Sequence, residues 1–101
     1  MNANQSKYET EDKTQMLAVD ILSWIAADPD LLSRFLAVSG LSIDNLRDAA
    51  GEPGFLAGVV GFVMAHEPTL LAYCDARDVE PGVVASAWRA LGGDSEYETS
   101  I

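Results

Sequence analysis

Apolar residues along this chain recur at intervals of three and four positions, the spacing that places side chains on one face of a helix. The first such run covers residues 16–25, where Leu17, Ile21 and Trp24 form an apolar stripe. Polar side chains such as Asp20 lie on the opposite side of this run. The pattern predicts an amphipathic helix.

Proline and glycine divide the rest of the chain into further short runs with the same spacing. Asp28 and Pro29 begin one of them, because aspartate caps a helix start and proline suits the first turn. Glycine ends several runs, since it readily adopts the left-handed conformation that follows a helix. The runs predict five or six short helices, at about residues 16–25, 29–38, 42–50 and 53–65, with the last two beginning at Pro68 and Pro81.

The two ends of the chain lack this apolar spacing. Residues 1–13 are mostly polar or charged and are predicted to form a mobile polar arm. Residues 94–101, DSEYETSI, are predicted to be a loose acidic tail. The sequence therefore predicts an all-α fold, a compact bundle in a single helical domain over residues 14–93.

An internal repeat is predicted from two segments that align when shifted by 39 positions. MLAVDILSWIAADPDLL begins at Met16 and FLAGVVGFVMAHEPTLL begins at Phe55, and Pro29 falls opposite Pro68. We expect the bundle to consist of two similar three-helix units.

Residues 53–65 carry no charged side chain, so this run is predicted to be the buried central helix. Gly58 and Gly61 lie one turn apart within it and would admit a neighbouring backbone. As a helix the run is about 20 Å long, against ~30 Å for the hydrocarbon core of a bilayer. We therefore do not expect it to cross a membrane.

Acidic residues outnumber basic ones, sixteen against six, and give the 101-residue chain a formal net charge of −10. Nucleic acids and anionic lipid surfaces bind proteins through Lys and Arg, so neither is expected as a partner. Cys74 is the single cysteine and cannot form an intramolecular disulfide. Because the N-terminal segment also lacks a signal-peptide pattern, we expect a soluble cytoplasmic protein.

His66 and Glu67 attract attention because a neighbouring histidine and glutamate can form half of a metal or acid–base site. A zinc-protease helix needs a second histidine four positions later, where this chain has Leu70, and His66 is the sole histidine. We expect His66 to occupy the last turn of the fourth helix, where a cation interacts favourably with the helix dipole.

Cys74 has the chemistry of a nucleophile, but the repeat aligns it with the apolar Phe35, which predicts a small buried thiol. We therefore predict no catalytic, cofactor-binding or metal-binding residues. No cofactor and no metal are expected, and the chain is not expected to be an enzyme.

Several features of residues 16–92 are shared with a known family. They are the Asp-Pro before the second helix, the Gly-Leu and Leu46-Arg47 of the third, the Pro53-x-Phe55-Leu56 opening of the fourth, and the acidic residue before Leu70-Leu71. In these features the chain resembles the domain of unknown function 3572, a family of small bacterial proteins. The resemblance implies a compact all-helical domain and no assigned activity. The family tends to carry an acidic pair where this chain has His66-Glu67, which argues further against a catalytic histidine.

A short, apolar-rich chain with no catalytic constellation favours a small acidic, non-enzymatic protein that acts through protein–protein interaction or self-association. The predicted interaction residues are Val84, Trp88 and Leu91, on an apolar face of the sixth helix. The predicted partner is another protein or a second copy of the chain. The alternative is a small apolar ligand between the two helical halves, where Gly58 and Gly61 leave room.

Overall fold

Six α-helices form the bundle seen in the computed structural model, which describes residues 3–52 and 54–93, with side chains from residue 12 onward. They are α1 (Ala3–Ala26), α2 (Pro29–Ser39), α3 (Ile43–Ala50), α4 (Phe55–Met64), α5 (Glu67–Arg77) and α6 (Pro81–Ala90). No strand occurs within the described residues. The prediction of an all-α bundle is confirmed.

Helix α1 begins at Ala3, so the prediction that the first helix starts near residue 16 is wrong. Residues 3–13 of the predicted polar arm are helical. Apolar spacing indicates only helices that bury one face. Residues such as Glu, Lys and Gln favour a helix even where no face is buried, so this part of α1 left no such pattern. The mobility of residues 1–13 stays a prediction, as does the division into arm, domain and tail, and residues 94–101 lie outside the described residues.

The predicted capping residues of α2 and α3 are confirmed. The carboxylate of Asp28 accepts hydrogen bonds from the backbone N–H groups of Asp30 at 3.1 Å and Leu31 at 3.3 Å. Gly40 ends α2 in the left-handed region, with φ of 76°. Ser42 then caps α3 through its hydroxyl. These local bonds satisfy backbone groups that the helix ends leave without partners.

Helix α4 is the central helix of the bundle, as predicted, and it contacts α1, α3, α5 and α6. Its Val59, Val60 and Val63 are fully buried, together with Ile21 and Ile25 of α1. The helix is not buried on every side, however, because Gly58 is exposed. Residue 53, the predicted start of this helix, lies outside the described residues.

The order of the helices is compatible with the predicted repeat, which stays a prediction. The two halves differ in how their second helices begin. Asp28 caps α2, whereas Glu67, its counterpart in the alignment, is the first residue of α5 and His66 occupies the cap position. The leucines at matching positions also differ, since Leu31 of α2 is buried, whereas Leu70 of α5 is partly buried and Leu71 is 49% exposed.

Within the described residues, no single helix is long and apolar enough to span a membrane. Helices α4 and α5 have the length and apolar composition of a membrane span only when they are taken together, and the chain bends by 103° between them.

Candidate functional site

The residues predicted to form an interaction face on α6 point largely into the bundle. Val84 has no exposed surface and belongs to the core, and its role as a contact residue stays a prediction. Trp88 and Leu91 are partly buried and pack against the core. The apolar stripe of α6 faces α1 and α4, which is why the same spacing that suggested a binding face marks a core face. The large apolar side chain of α6 that is exposed is Val83, at 50%.

The indole of Trp88 lies between α4 and the turn after α6. A Cβ on Gly61 would stand 3.2 Å from the indole Nε1 atom, and one on Gly93 would overlap the ring. The group that approaches Gly61 is therefore the Trp88 side chain, and not the backbone of a neighbouring helix, as the sequence predicted. The packing of this tryptophan requires glycine at position 93, whereas a Cβ at position 61 would make the indole shift by a few tenths of an ångström.

An apolar groove of about 390 Å³ lies between α2 and α4. We call it the α2–α4 groove and define it by Phe35, Val38 and Leu41 on one side and Phe55, Gly58 and Phe62 on the other. A Cβ on Gly58 would meet no atom within 4 Å, so the groove is open above this glycine. Val38 is 71% exposed at the edge of the groove, so it extends the apolar lining to the surface of the protein.

Three phenylalanines give the α2–α4 groove a firm wall. The ring of Phe35 packs edge-to-face on Phe62, with centroids 5.3 Å apart, and on Phe55 at 6.3 Å. Phe35 is itself only 4% exposed and belongs to the core cluster. Because Phe35 is packed into the core, the fold fixes this wall of the groove, while the exposed Val38 forms part of the rim.

The groove offers apolar contact and little polar chemistry. Among the described residues that line it, Ser39 is the one with a polar side chain and none is charged. The C-terminal end of α2 also lies at the groove, since Ser39 and Leu41 on either side of the cap residue Gly40 line it. Neither α2 nor α4 has a basic residue in its last turn to balance the partial negative charge of its C-terminus.

His66 does not occupy the last turn of α4, so the predicted dipole interaction is wrong. Helix α4 ends at Met64, and His66 is the N-cap residue of α5. Its Nδ1 atom lies 2.7 Å from the hydroxyl of Thr69, which is buried. The imidazole therefore accepts no hydrogen bond from a backbone N–H group of α5. It bonds instead to the side chain of Thr69 in the first turn of that helix.

Cys74 is a free cysteine with 7% of its surface exposed. Burial raises the pKa of its thiol, so the reactive thiolate is disfavoured. The prediction of a small buried thiol is confirmed.

A hydrogen-bonded group of Asp20, Tyr73 and Arg77 was not predicted from the sequence. The Tyr73 hydroxyl donates to the Asp20 carboxylate at 2.7 Å, and Arg77 donates to the same oxygen at 3.0 Å. Burial and the hydrogen bond to Asp20 raise the pKa of Tyr73 far above its ordinary value. A tyrosine within a buried stripe is the signal that such a partner exists, since a buried hydroxyl usually finds one.

Metal-binding chemistry finds no support in these positions. No three His, Cys, Asp or Glu side chains among the described residues lie close enough together to hold a metal ion. The ionisable groups with displaced pKa values, Asp20, Tyr73 and Cys74, line no part of the α2–α4 groove.

The comparisons with known proteins agree with the resemblance seen in the sequence. No curated protein and no solved structure matches the chain at a significant level. A model of the family described as "Protein of unknown function (DUF3572)" matches residues 11–94, well over half of the chain. The chain therefore belongs to this family.

Proposed function

We propose that this chain is a non-enzymatic helical protein that acts by binding another protein through the α2–α4 groove. The observation that carries the proposal is an uncharged apolar groove with open space above Gly58 and the exposed Val38 at its edge. Exposed apolar surface of this kind costs solubility unless a binding partner uses it. A cytoplasmic location and a bacterial source complete the proposal, supported by the acidic composition and the family resemblance.

The charge of the chain supports a protein partner over a nucleic acid or a membrane surface. A net charge of −10 repels phosphate backbones and anionic lipids. Titratable side chains are also absent from the described lining of the groove, so a partner placed there meets no candidate acid, base or nucleophile.

Glycine at position 58 permits a direct test. Gly58 lies within a helix and has room for a side chain, so Gly58→Leu fills the groove without disturbing the core. Gly82→Leu is the matched control, because Gly82 is also helical and open but lies in α6, away from the groove. We expect affinity purification from the cells that produce the protein to recover one partner with wild type and Gly82→Leu. Recovery of the same partner with Gly58→Leu would contradict the proposal.

A small apolar ligand is the second candidate, favoured by the volume of the groove. Its size of about 390 Å³ falls within the ~300–1,000 Å³ typical of small-molecule sites. Native mass spectrometry of the purified chain tests this candidate. A bound small molecule present in wild type and absent from Gly58→Leu would support it, and an unliganded wild-type mass would contradict it.

A further inference from the structure

We propose that the occupant of the α2–α4 groove is a basic amphipathic helix, whose apolar face enters the groove and whose Lys and Arg side chains flank it. This inference rests on the proposed function and adds the chemistry of the partner. Three properties of the groove support it: its size, the state of the backbone around it, and the charge of its surroundings.

The size of the groove suits one row of side chains. Its volume of about 390 Å³ corresponds to roughly a dozen water molecules at ~30 Å³ each, enough for a few large apolar side chains and too little for a whole helix. A partner helix would therefore lie over the groove and insert the side chains of one face. Gly58 lets that helix approach closely, because no atom lies within 4 Å of the space a Cβ would fill.

The backbone around the groove favours a helix over an extended peptide. Its two walls are α-helices, whose backbone groups bond within the helix, and the end of α2 is closed by hydrogen bonds from Gly40 and Leu41 to the Leu36 carbonyl. An extended peptide would find no strand edge among the described residues, and those of its N–H and C=O groups that face the apolar groove would lack partners. A helix satisfies its own backbone before it binds.

The charge around the groove favours a basic partner. The C-terminal end of α2 contributes partial negative charge with no basic residue in its last turn, and the exposed Glu52 lies two positions before the lining residue Gly54. Arg34, the residue before Phe35, lines a different cleft with Asp28 and Asp30. With a net charge of −10 on the chain, complementarity selects a cationic helix and opposes both a second copy and the acidic segment 94–101.

Three synthetic helices that differ only in flanking charge test the inference on the full-length chain. Each is about 16 residues long, a helix of ~24 Å, with leucines on one face. The flanking positions carry Lys in the first, Gln in the second and Glu in the third. Isothermal titration calorimetry should show that the Lys helix binds about tenfold or more tightly than the Gln helix, with a preference that declines as salt is added. The Glu helix should bind most weakly.

Substitution of Gly58 separates failure of this inference from failure of the proposed function. Gly58→Leu should weaken binding of the Lys helix about tenfold or more, while Gly82→Leu leaves it unchanged. If Gly58→Leu weakens the Lys and Gln helices alike and the two bind equally to wild type, the groove binds helices and the charge inference is wrong. If Gly58→Leu changes nothing, the groove is not the site and both proposals fail.

The other occupants give distinct results that also overturn the inference. A second copy would show as a dimer in light scattering that Gly58→Leu disrupts, together with no binding of the Lys helix. The chain's own C-terminal segment would show as nuclear Overhauser contacts from Tyr97 or Ile101 to Phe62 in the peptide-free protein.

Discussion

The hydroxyl of Tyr73 donates a 2.7 Å hydrogen bond to the carboxylate of Asp20, a residue 53 positions earlier in the chain. This bond joins α5 to α1, two helices that are distant in sequence. The Tyr73 ring is fully buried and packs edge-to-face on Trp24 with centroids 5.4 Å apart. The polar tip and the aromatic body of one residue thus hold the same pair of helices together.

Removal of the Tyr73 hydroxyl should cost more than removal of the neighbouring ion pair. Tyr73→Phe keeps the ring packing and deletes one charge-assisted hydrogen bond, so we expect a loss of about 1–2 kcal/mol in unfolding free energy. Arg77→Gln should cost about 0–1 kcal/mol, because the side chains of Arg77 and Asp20 are 41% and 42% exposed. Urea unfolding of both variants checks this order. A larger loss for Arg77→Gln would show that the ion pair, and not the tyrosine, links the helices.

The hydrogen-bonded group of Asp20, Tyr73 and Arg77 should make the unfolding free energy depend on pH in the acidic range. Burial acts to raise the pKa of Asp20, but hydrogen bonds from Tyr73 and Arg77 and the charge of Arg77 outweigh it and lower the pKa below 3.8. A carboxyl whose pKa is lower in the folded state stabilises the fold above its unfolded pKa and loses that contribution as pH falls through the folded pKa. The difference in unfolding free energy between wild type and Asp20→Asn should therefore be constant above about pH 5 and shrink below about pH 4. A difference that stays constant down to about pH 2 would contradict the lowered pKa.

The starts of α2 and α5 should respond differently to substitution. Asp28→Ala removes a carboxylate that accepts two backbone hydrogen bonds, so we expect a loss of about 1 kcal/mol. His66→Ala removes the partner of the buried Thr69 hydroxyl, so we expect a loss of about 0.5–1.5 kcal/mol. His66→Asp should be more stable than His66→Ala, because aspartate is a preferred N-cap. Thermal unfolding ranks the three variants, and equal stability of His66→Asp and His66→Ala would show that α5 needs no side-chain cap.

Glycine 93 should not tolerate a side chain, in contrast to glycine 82. A Cβ on Gly93 would overlap the indole of Trp88, so Gly93→Ala should cost about 1–3 kcal/mol as the ring is displaced. Gly82→Ala meets open space within α6 and should be neutral or stabilising by up to about 1 kcal/mol. Chemical denaturation followed by tryptophan fluorescence measures both effects. A neutral Gly93→Ala would mean that the indole of Trp88 does not pack against the turn after α6.

The features predicted correctly from the sequence are those set by residues close together in the chain. Asp28, Gly40 and Ser42 mark helix ends through bonds to neighbouring backbone groups, and their residue types reveal those bonds. The burial of Cys74 is an exception, because it was predicted from alignment with the distant Phe35 in a repeat that stays a prediction. The start of α1 escaped prediction because polar residues extend a helix without leaving a periodic signal.

The features that were missed depend on which faces meet after folding. An apolar stripe on α6 is equally consistent with a core face or a binding face, and contact with α1 and α4 decides that Val84 is core. The α2–α4 groove was predicted only in part, since Gly58 and Gly61 were noted as small, while the wall contributed by Phe35 was not. Pairing of Asp20 with Tyr73 likewise depends on how α5 crosses α1, which a single sequence does not specify.

The central claim is that the α2–α4 groove is a binding site for apolar groups, and the effect of Gly58→Leu on binding of a neutral apolar fluorophore tests it most directly. N-phenylnaphthylamine carries no charge, so its emission reports apolar binding without the electrostatic contribution of the chain. We predict that wild type and Gly82→Leu bind the fluorophore equally, and that Gly58→Leu weakens binding about tenfold or more because leucine occupies the groove. Equal binding by all three proteins, or no binding by wild type, would contradict the claim.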